Sequence, residues 1–520
     1  MLIDFSGKSV VVTRGTCGLG LAIGLAFGRL GARVYLVGRP DNIDAAAIRA
    51  RFAAAQAAAP VLVAVADKKK AAEILSQRIA DEGGQVHALI SRVGATPVEG
   101  PSSLSGAAAF IDRVEEDAWH LVDYLYAIQR ICGGYPRYMV ALSSDACERY
   151  YPDYGAAAAS QAVAEMLCRY LTTHLLEEEF SFNVLRTPLL LQEAGVGKGD
   201  AAAVTEEEVA GAALALCSGY LDALSGQMVE VDGGVRVCGV PSSHTPAGRN
   251  GGVALNDFEG KAVLVTGGTG GIGLETGLAF GRLGARVYLT YRWGTYDEGE
   301  VRDRFAAENA SEPVIVEADV SNEEDTVALM QRIREEHQHL EVFINNVSFG
   351  YTGKVGPDLP FRELARSLRY STWPLVAYLG QSRRILGNYP HYVVAISSPG
   401  TESFYPGYDL VASVKTAMET LGRYLAAELR GQDVHINILR ASPVQTDSLL
   451  ATFGPEFMPF CQKYDHRFFL LEKEDVARSA LVLCSGLLDG LQGSTLLLDN
   501  GIGFSDNMAR LFDDRAHYKL

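Results

Sequence analysis

The chain lacks the features that mark membrane, secreted and nucleic-acid-binding proteins. No uninterrupted apolar run approaches the roughly 18 residues that cross a bilayer, and the first residues, MLIDFSGKSVVVT, place no basic region ahead of an apolar core. A net charge of −17 offers no surface that would neutralise phosphates. The eight scattered cysteines show no C-x-x-C or Cys/His metal spacing. We therefore expect a reduced, cytoplasmic protein with no metal ion, no membrane segment and no nucleic-acid partner.

The sequence does contain two copies of one unit. AFGRLGARVYL occurs at Ala26–Leu36 and again at Ala279–Leu289. A chain of 520 residues is too long for one core and fits two domains of about 250 residues each. Between the copies, the segment PSSHTPAGRNGG has the Pro, Ser and Gly content of a linker. The predicted domains are residues 1–236 and 256–520, with residues 237–255 as the linker.

Each copy opens with the pattern of a buried parallel strand followed by a glycine-rich turn. SVVVT (Ser9–Thr13) and AVLVT (Ala262–Thr266) are apolar and β-branched, as strands covered on both faces are. An amphipathic helix follows, and then a second strand, VYLVG in the first unit and VYLTY in the second. This order predicts an α/β fold of two tandem Rossmann-type domains, each a doubly wound parallel sheet.

In the second unit, the turn after the first strand reads TGGTGGIG, from Thr266 to Gly273. Gly267 permits a tight turn, Gly271 lets the backbone approach a pyrophosphate, and Gly273 allows close helix–strand packing. After the second strand comes Arg292 rather than an acidic residue that would hold a ribose 2′-hydroxyl, and a cation there suits a 2′-phosphate. We therefore expect NADPH rather than NADH. A solvated charge at the strand end is the alternative interpretation of Arg292.

A tyrosine and a lysine in the segment SSPGTESFYPGYDLVASVK carry the candidate chemistry. Tyr408 and Lys415 are seven residues apart, so on a helix they lie two turns apart on one face. A phenol and an ammonium aimed at a bound nicotinamide can deliver a proton or stabilise a developing oxyanion. The alternative interpretation of Tyr408 is an aromatic residue that starts a helix and packs in the core.

The second unit resembles the short-chain dehydrogenase/reductase superfamily over nearly its whole length. Its glycine turn matches TGxxxGxG, Asn345-Asn346 is similar to the NNAG segment, and Pro443–Thr446 is similar to the PGxxT element. The resemblance implies that Asp319 and Val320 contact adenine and that Thr446 meets the nicotinamide carboxamide. The cofactor-binding residues expected on this basis are Gly267, Thr269, Gly271, Ile272, Gly273, Arg292, Asp319, Val320, Asn346, Lys415 and Thr446.

The Tyr-x6-Lys spacing resembles the NADPH-dependent enoyl-acyl-carrier-protein reductases of this superfamily. The resemblance implies hydride transfer to the β-carbon of an α,β-unsaturated thioester, with Tyr408 stabilising the enolate oxygen and Lys415 holding the nicotinamide ribose. Ser398 matches the catalytic serine of ordinary members. Phe404 stands where these reductases often have a second tyrosine, and Ser371 stands at the usual helix-four asparagine.

The first unit departs from these motifs at nearly every chemical position. Arg14 replaces the first glycine of its turn, where we expect the side chain to occupy pyrophosphate space or clash with the turn. Gln161 replaces the lysine, Ser91-Arg92 replace the paired asparagines and Leu191 replaces the carboxamide threonine. The residues that persist are Asp67, Ser143, Ser144 and Tyr154. We interpret this unit as a pseudoenzyme.

The first unit also lacks a loop that the second unit has. The segment from Pro188 to Val209 has 22 residues, whereas the matching segment from Pro443 to Val476 has 34. The aromatic-rich extra length, within residues 446–469, is interpreted as a substrate-covering loop.

The family resemblance also implies a role for the inactive unit. Members usually dimerise through helices four and five, so a fused copy could supply that surface within one chain as a pseudo-dimer. Two tandem chains could then pair as a homodimer. A ketone or quinone reductase is the alternative function, and a non-catalytic nucleotide-binding scaffold or sensor is the alternative of another class. Five arginines could receive an acidic carrier protein or CoA phosphates, or form a solvated face; they are Arg362, Arg366, Arg369, Arg383 and Arg384.

Overall fold

Two seven-stranded parallel sheets form the frame of the protein, one in each half of the chain. The computed structural model describes residues 3–67, 70–93, 114–147, 151, 154–175, 177–190, 204–235, 255–292, 297–349, 351–352, 361–403, 405, 407–446, 449–450, 454–464 and 470–504. The predicted linker, apart from residue 255, lies outside these ranges.

The strands of the first unit are β1 (Ser9–Thr13), β2 (Arg33–Gly38), β3 (Val61–Ala64), β4 (Val86–Arg92), β5 (Tyr138–Ser143), β6 (Ser181–Arg186) and β7 (Met228–Glu230). Its helices are α1 (Gly18–Arg29), α2 (Ala45–Ala54), α3 (Ala71–Asp81), α4 (His120–Cys132), α5 (Gly155–His174) and α6 (Glu206–Leu216). A π-helical turn at Glu115–Trp119 leads into α4.

The second unit repeats this order with strands β8 (Ala262–Val265), β9 (Arg286–Tyr291), β10 (Val314–Glu317), β11 (Leu340–Asn345), β12 (Tyr392–Ser397), β13 (His435–Ala441) and β14 (Thr495–Leu498). Its helices are α7 (Gly271–Gly281), α8 (Glu298–Ala307), α9 (Glu323–Glu336), α10 (Phe361–Ser371), α11 (Trp373–Leu386), α12 (Asp409–Glu428), α13 (Phe457–Tyr464) and α14 (Lys473–Leu483). Among the described residues, no helix is both long and apolar enough to span a bilayer.

The strand order has the same reversal in both sheets. It runs β3-β2-β1-β4-β5-β6-β7 in the first and β10-β9-β8-β11-β12-β13-β14 in the second, and all the pairings are parallel. The order reverses between β1 and β4, and between β8 and β11. In open α/β sheets, the crevice for ligands lies at the carboxyl ends of the strands beside such a reversal. The predicted fold of two tandem doubly wound sheets is confirmed.

Reciprocal backbone hydrogen bonds join the two units. The Gly233 amide donates to the Gly490 carbonyl at 3.0 Å, and the Asn500 amide donates to the Ala223 carbonyl at 2.9 Å. Gly233 and Asn500 occupy matching places in the repeat, and so do Ala223 and Gly490. The same bond is therefore made twice, as a pseudo-twofold axis requires.

Helices α6 and α14 pack at this interface. A Cβ atom on Gly211 of α6 would lie 2.7 Å from the Leu487 carbonyl oxygen, so the two backbones approach closely there. In the opposite sense, Ser479 of α14 donates its hydroxyl hydrogen to the Tyr220 carbonyl at 3.4 Å. One cluster of buried apolar residues runs through both units. The apolar core of the pseudo-dimer is continuous.

The interface differs from the one expected by family resemblance. Helices four and five of each unit are α4 and α5, and α11 and α12, and they carry exposed large apolar side chains. Those side chains are Tyr126, Val163, Met166, Trp373 and Tyr424. In the described part of the chain, the units are therefore joined through α6 and α14 and not through the expected four-helix bundle. The expectation was wrong because both kinds of surface are amphipathic, and sequence pattern alone does not rank them.

We expect Gly211→Ala to destabilise the protein, because the added methyl group meets backbone that belongs to the other unit. The free energy of unfolding should fall by about 1–3 kcal/mol, as in other overpacked cores, measured by urea denaturation. The matched control is Gly380→Ala, also in a helix, where an added Cβ atom has nothing within 4 Å. The control should be neutral or more stable by about 1 kcal/mol. Equal stability of the two variants would contradict the prediction.

Candidate active site

A cavity of about 710 Å³ lies at the carboxyl ends of the strands of the second sheet. It brings together residues from the glycine turn, from the ends of β9, β11, β12 and β13, and from α12. The predicted site residues in its wall are Gly267, Thr269, Gly271, Ile272, Arg292, Asp319, Val320, Asn346, Ser398, Tyr408, Lys415 and Thr446. Gly273 lies behind this wall.

The glycine turn has the backbone that only glycine adopts without strain. Gly267 and Gly271 have φ values of +62° and +55°. A Cβ atom on Gly273 would overlap the Gly267 carbonyl oxygen, so this position has no room for a side chain. The Asn346 side-chain amide donates to the carbonyls of Thr266 and Gly267, at 2.9 and 3.2 Å, and pins the turn to β11. The start of α7 therefore faces the cavity with free space for an anion.

Tyr408 and Lys415 project into the cavity from the start of α12. Tyr408 is the residue immediately before the helix, and Lys415 is two turns further along. Burial raises the pKa of Tyr408, and a hydrogen bond from Ser398 only partly opposes this. The phenol is therefore protonated at neutral pH and can donate a hydrogen bond.

Lys415 is a buried cation close to its neutral form. Burial lowers its pKa to about 8, while the nearby Glu419 carboxylate acts in the opposite direction. Its Nζ atom donates to the Ile396 carbonyl at 3.2 Å, which directs the ammonium toward the end of β12. A cation in this place can bind an anionic or hydroxyl-rich ligand in the cavity.

A buried ion pair holds the elements that carry these residues. Arg440 of β13 bonds Glu419 of α12 through two parallel hydrogen bonds of 2.9 and 2.6 Å. The Ser397 hydroxyl at the end of β12 donates to the same carboxylate at 2.6 Å. Burial acts to raise the pKa of Glu419, but these donors outweigh it and the net shift is downward. The charged carboxylate thus fixes α12, β12 and β13 against one another.

The far end of the cavity contains a second charged cluster. Arg292, just after β9, forms an ion pair with Asp319 and donates to the Tyr370 hydroxyl at 2.8 Å. Its side chain is 40% exposed. Arg292 is therefore held in the cavity wall by two partners, rather than extending into solvent as the alternative interpretation proposed. Its guanidinium retains donors that can reach a ligand phosphate.

Sequence reasoning missed Lys473, which also lines the cavity. It is the first residue of α14, where Glu472 and Asp475 form a capping box. A lysine in a first turn opposes the helix macrodipole, and the matching residue of the first unit is Glu206. This unfavourable helix position was the available signal. Other unpredicted residues in the wall are Thr290, Phe349, Tyr370, Tyr405 and Leu449.

Three further expectations concern the rim of the cavity. The Ser371 hydroxyl donates to the Phe349 carbonyl at 2.6 Å and accepts from its amide at 2.8 Å, so it braces the loop after β11. Phe404 lies outside the described residues, but the Tyr405 ring stands 5.7 Å from the Tyr408 ring. Of the expected covering loop, α13 is described, and the Phe460 side chain on it is 61% exposed.

One arginine of the predicted cluster lies beside the cavity. The Arg366 guanidinium sits 4.6 Å from the centre of the Phe349 ring, which is itself part of the wall. Arg362, Arg383 and Arg384 have partners on their own helices or in the turn that follows. The structure therefore brings Arg366, but not these three, to the site.

In the first unit, the equivalent of the catalytic pair is closed on itself. The Ser144 hydroxyl donates to the Gln161 side-chain oxygen at 2.7 Å, and the Gln161 amide donates to the Tyr154 hydroxyl at 3.3 Å. All three side chains are buried. Gln161 therefore replaces the cation by a neutral group that its neighbours satisfy.

The phosphate turn of the first unit is also altered. Arg14 adopts a φ of +50°, which is uncommon for a residue with a side chain. Its guanidinium pairs with the buried Asp117 carboxylate at 3.3 Å, and Asp117 occupies the place of Ser371 in the second unit. An ion pair thus ties this turn to the start of helix four. Leu191 lies outside the described residues.

Comparison with known proteins matches both units. The family described as enoyl-(acyl carrier protein) reductase matches residues 15–236 and 267–503. The 1-cyclohexenylcarbonyl-CoA reductase of Streptomyces collinus is 27% identical, covering 46% of this chain and 85% of that protein. The NADH-dependent enoyl-[acyl-carrier-protein] reductase of Aquifex aeolicus is 26% identical, covering 47% and 92%. The versicolorin reductase of Emericella nidulans is 25% identical, covering 47% and 96%. Each relative therefore spans about half of this chain.

The lowered pKa of Lys415 predicts how dinucleotide binding depends on pH. As pH rises through about 8, Lys415 loses its proton, and the attraction to an anionic ligand falls with it. Affinity at pH 9 should be roughly tenfold below that at pH 7 if binding requires the ammonium. Fluorescence titration with NADPH at constant ionic strength measures this.

The matched control for the pH prediction is Lys415→Gln, which installs the residue of the first unit. This variant should bind weakly at both pH values, because it carries no titrating cation. A pH dependence that persists in Lys415→Gln would assign the effect to another group.

Proposed function

Because the chain belongs to the enoyl-(acyl carrier protein) reductase family within the short-chain dehydrogenase/reductase superfamily, and is an NAD(P)H-dependent oxidoreductase, we propose that it reduces an α,β-unsaturated acyl thioester with NADPH. Catalysis belongs to the second unit. The observation that carries this proposal is the convergence of Tyr408, Lys415 and the glycine turn on one cavity. The Tyr-x6-Lys spacing supports the enoyl substrate, and so do two relatives named as reductases of enoyl thioesters.

The cavity fits a nicotinamide dinucleotide. Two glycines with left-handed backbone leave the start of α7 open to a pyrophosphate, and Thr446 lies beside Gly271, with 3.8 Å between its methyl group and a Cβ built on that glycine. Lys415 would hold the nicotinamide ribose, and Asp319 and Val320 would face the adenine. The nucleotide, when bound, supplies the hydride.

The residues of the second unit account for the remaining chemistry. The protonated Tyr408 hydroxyl donates a hydrogen bond to the thioester oxygen, where negative charge develops as the β-carbon accepts hydride. The Lys415 ammonium keeps the local potential positive and favours the same charge. The hydrogen bond from Ser398 orients the phenol. These groups are held in place before substrate binds, because the Arg440–Glu419 ion pair fixes their helix and strands.

The preference for NADPH rests on Arg292. No acidic residue directly follows β9, and the Arg292 guanidinium stands at the cavity end opposite Lys415, with Asp319 and Tyr370 as partners. A guanidinium in this place is suited to a 2′-phosphate. The related reductase of Aquifex aeolicus is named for NADH, so the argument comes from this chain's own residue.

Reduction of a ketone or quinone is the second candidate. The hydrogen bond from Ser398 to Tyr408 is the observation that favours it, because the ordinary members of the superfamily pair these two residue types. A relative named versicolorin reductase supports a substrate other than a thioester. The same Tyr408 hydroxyl would then donate its proton to a carbonyl oxygen.

The first unit is proposed to act as a partner and not as a catalyst. Its neutral Gln161 chain and its Arg14–Asp117 ion pair replace the groups that the second unit uses. Its α6 buries apolar surface of the second unit, which supports a supporting role over that of a nucleotide sensor. The exposed apolar side chains of helices four and five support pairing of two tandem chains, which light scattering would test by the mass of the particle.

We expect Tyr408→Phe to lower kcat for reduction of a crotonyl thioester by about 100-fold or more, because it removes the hydrogen-bond donor from the enolate oxygen. Oxidation of NADPH followed at 340 nm with the full-length protein measures the rate. The matched control is Tyr154→Phe, which removes the equivalent hydroxyl from the first unit and should leave kcat unchanged.

The choice of acceptor separates the candidate functions. Turnover of ketones or quinones alone would transfer the assignment to carbonyl reduction. Binding of NADPH without oxidation by any acceptor would favour the scaffold or sensor. A rate lost equally in Tyr154→Phe would contradict the inactivity of the first unit.

We expect Arg292→Gln to weaken NADPH binding by roughly 10- to 100-fold, the size of one charge-assisted hydrogen bond. Binding of NADH should change little, because NADH has no 2′-phosphate. Arg39→Gln, at the matching position of the first unit, is the control and should alter neither affinity. If Arg292→Gln affected both nucleotides equally, Arg292 would not be reading the 2′-phosphate.

A further inference from the structure

Three metal-ligating side chains converge at the amino ends of β12 and β13, at the opposite end of the sheet from the cavity. His391, Asp433 and His435 each offer one ligand atom, and these atoms all lie within 4.8 Å of one another. His391 Nδ1 is 3.1 Å from an Asp433 carboxylate oxygen. The two imidazole rings are 5.4 Å apart between centroids. This spacing is close enough for one ion to contact all three residues.

The backbone fixes the two histidines relative to each other. His435 begins β13, and its amide donates to the His391 carbonyl at 2.7 Å as the two strands start to pair. The ring of Tyr392 contacts both imidazoles, with centroid distances of 4.4 and 5.4 Å. The Tyr392 hydroxyl is itself held by Asp489 at 2.8 Å and by Asn256 at 2.7 Å. The imidazoles are therefore oriented by strand pairing and by packing.

The burial of the three residues suits a site with one open side. The His391 side chain is 16% exposed, whereas the Asp433 side chain is 73% exposed, and His435 is half-buried. Two imidazoles in the wall and a carboxylate at the mouth leave room for a water ligand. Two histidines and one carboxylate, with water in a fourth position, are an established ligand set for Zn²⁺.

The first unit shows what this place looks like without ligands. The matching residues are Arg137, Glu179 and Ser181. Arg137 forms an ion pair with Glu179 at 3.6 Å, and the Ser181 amide donates to the Arg137 carbonyl at 2.9 Å. The backbone contact is the same in both units, but an ordinary ion pair serves in the first. An ion pair alone in the second unit would need His391 and Asp433, and would leave the histidine at 435 without a reason.

We propose that His391, Asp433 and His435 bind a divalent transition-metal ion such as Zn²⁺. Nitrogen donors favour Zn²⁺, Ni²⁺, Cu²⁺ or Co²⁺ over Mg²⁺ and Ca²⁺, which prefer oxygen ligands. The site lies the length of β12 from Ser398, roughly 20 Å at the rise of a strand. The ion is therefore structural and bridges the start of β12 to the turn before β13. The sequence analysis expected no metal because these ligands share no short spacing.

The test is Zn²⁺ binding by the full-length protein after treatment with a chelator, measured by isothermal titration calorimetry. The wild-type protein should take up one Zn²⁺ per chain, and its unfolding temperature should rise with Zn²⁺ concentration, because the ion binds the folded state. The triple variant His391→Arg, Asp433→Glu, His435→Ser installs the residues of the first unit and should lose both effects. His339→Gln, which removes a histidine elsewhere on the surface, should retain both.

A second measurement guards against binding by cysteine thiolates and against misfolding of the triple variant. Co²⁺ in place of Zn²⁺ should give ligand-field absorption without the thiolate charge-transfer band that cysteine ligands produce. The single variant Asp433→Asn, at the exposed residue, should fold normally and bind Zn²⁺ at least tenfold more weakly. The proposal is overturned if the wild type takes up no ion, if the triple variant binds as well as the wild type, or if the Co²⁺ spectrum shows thiolate ligation.

Discussion

The ion pair between Arg440 and Glu419 is the interaction on which the active site depends. Its carboxylate receives hydrogen bonds from β13 and from the end of β12, and it sits one helical turn from Lys415. A buried cation such as Lys415 is destabilised by loss of hydration, and the neighbouring carboxylate offsets part of that cost. Removing either partner would leave an uncompensated buried charge, which typically costs about 3–5 kcal/mol. Position and charge of the site therefore have one common origin.

The first unit keeps this framework and discards the chemistry. Arg186 bonds Glu165 through two hydrogen bonds, and the Ser143 hydroxyl donates to the same carboxylate. The lysine has become Gln161, whose neutral amide needs no compensating charge when buried. Loss of the cation thus removes a desolvation cost while the ion pair continues to hold the helix and strands. The two units show that the scaffold and the catalytic groups are separable.

Local patterns predicted the fold and most of the cavity wall, whereas contacts between distant segments were not predictable. The glycine turn and the Tyr408–Lys415 spacing are read within a few residues, since backbone geometry and helical periodicity act at short range. The interface was assigned to the wrong helices because it depends on how Gly211 meets the Leu487 backbone, 276 positions away. Lys473 was missed because only the fold brings α14 to the cavity. His391 and His435 likewise meet only through strand pairing.

The covalent joining of the two units changes what their pairing depends on. Separate subunits related by the Gly233–Gly490 and Asn500–Ala223 bonds would dissociate on dilution, and each could exchange with any other copy. Within one polypeptide, the partner is always present at a high effective concentration set by the linker. Pairing is therefore independent of expression level, and the inactive half can never be displaced by an active one. The stoichiometry of one working site per pair is written into the gene rather than set by assembly.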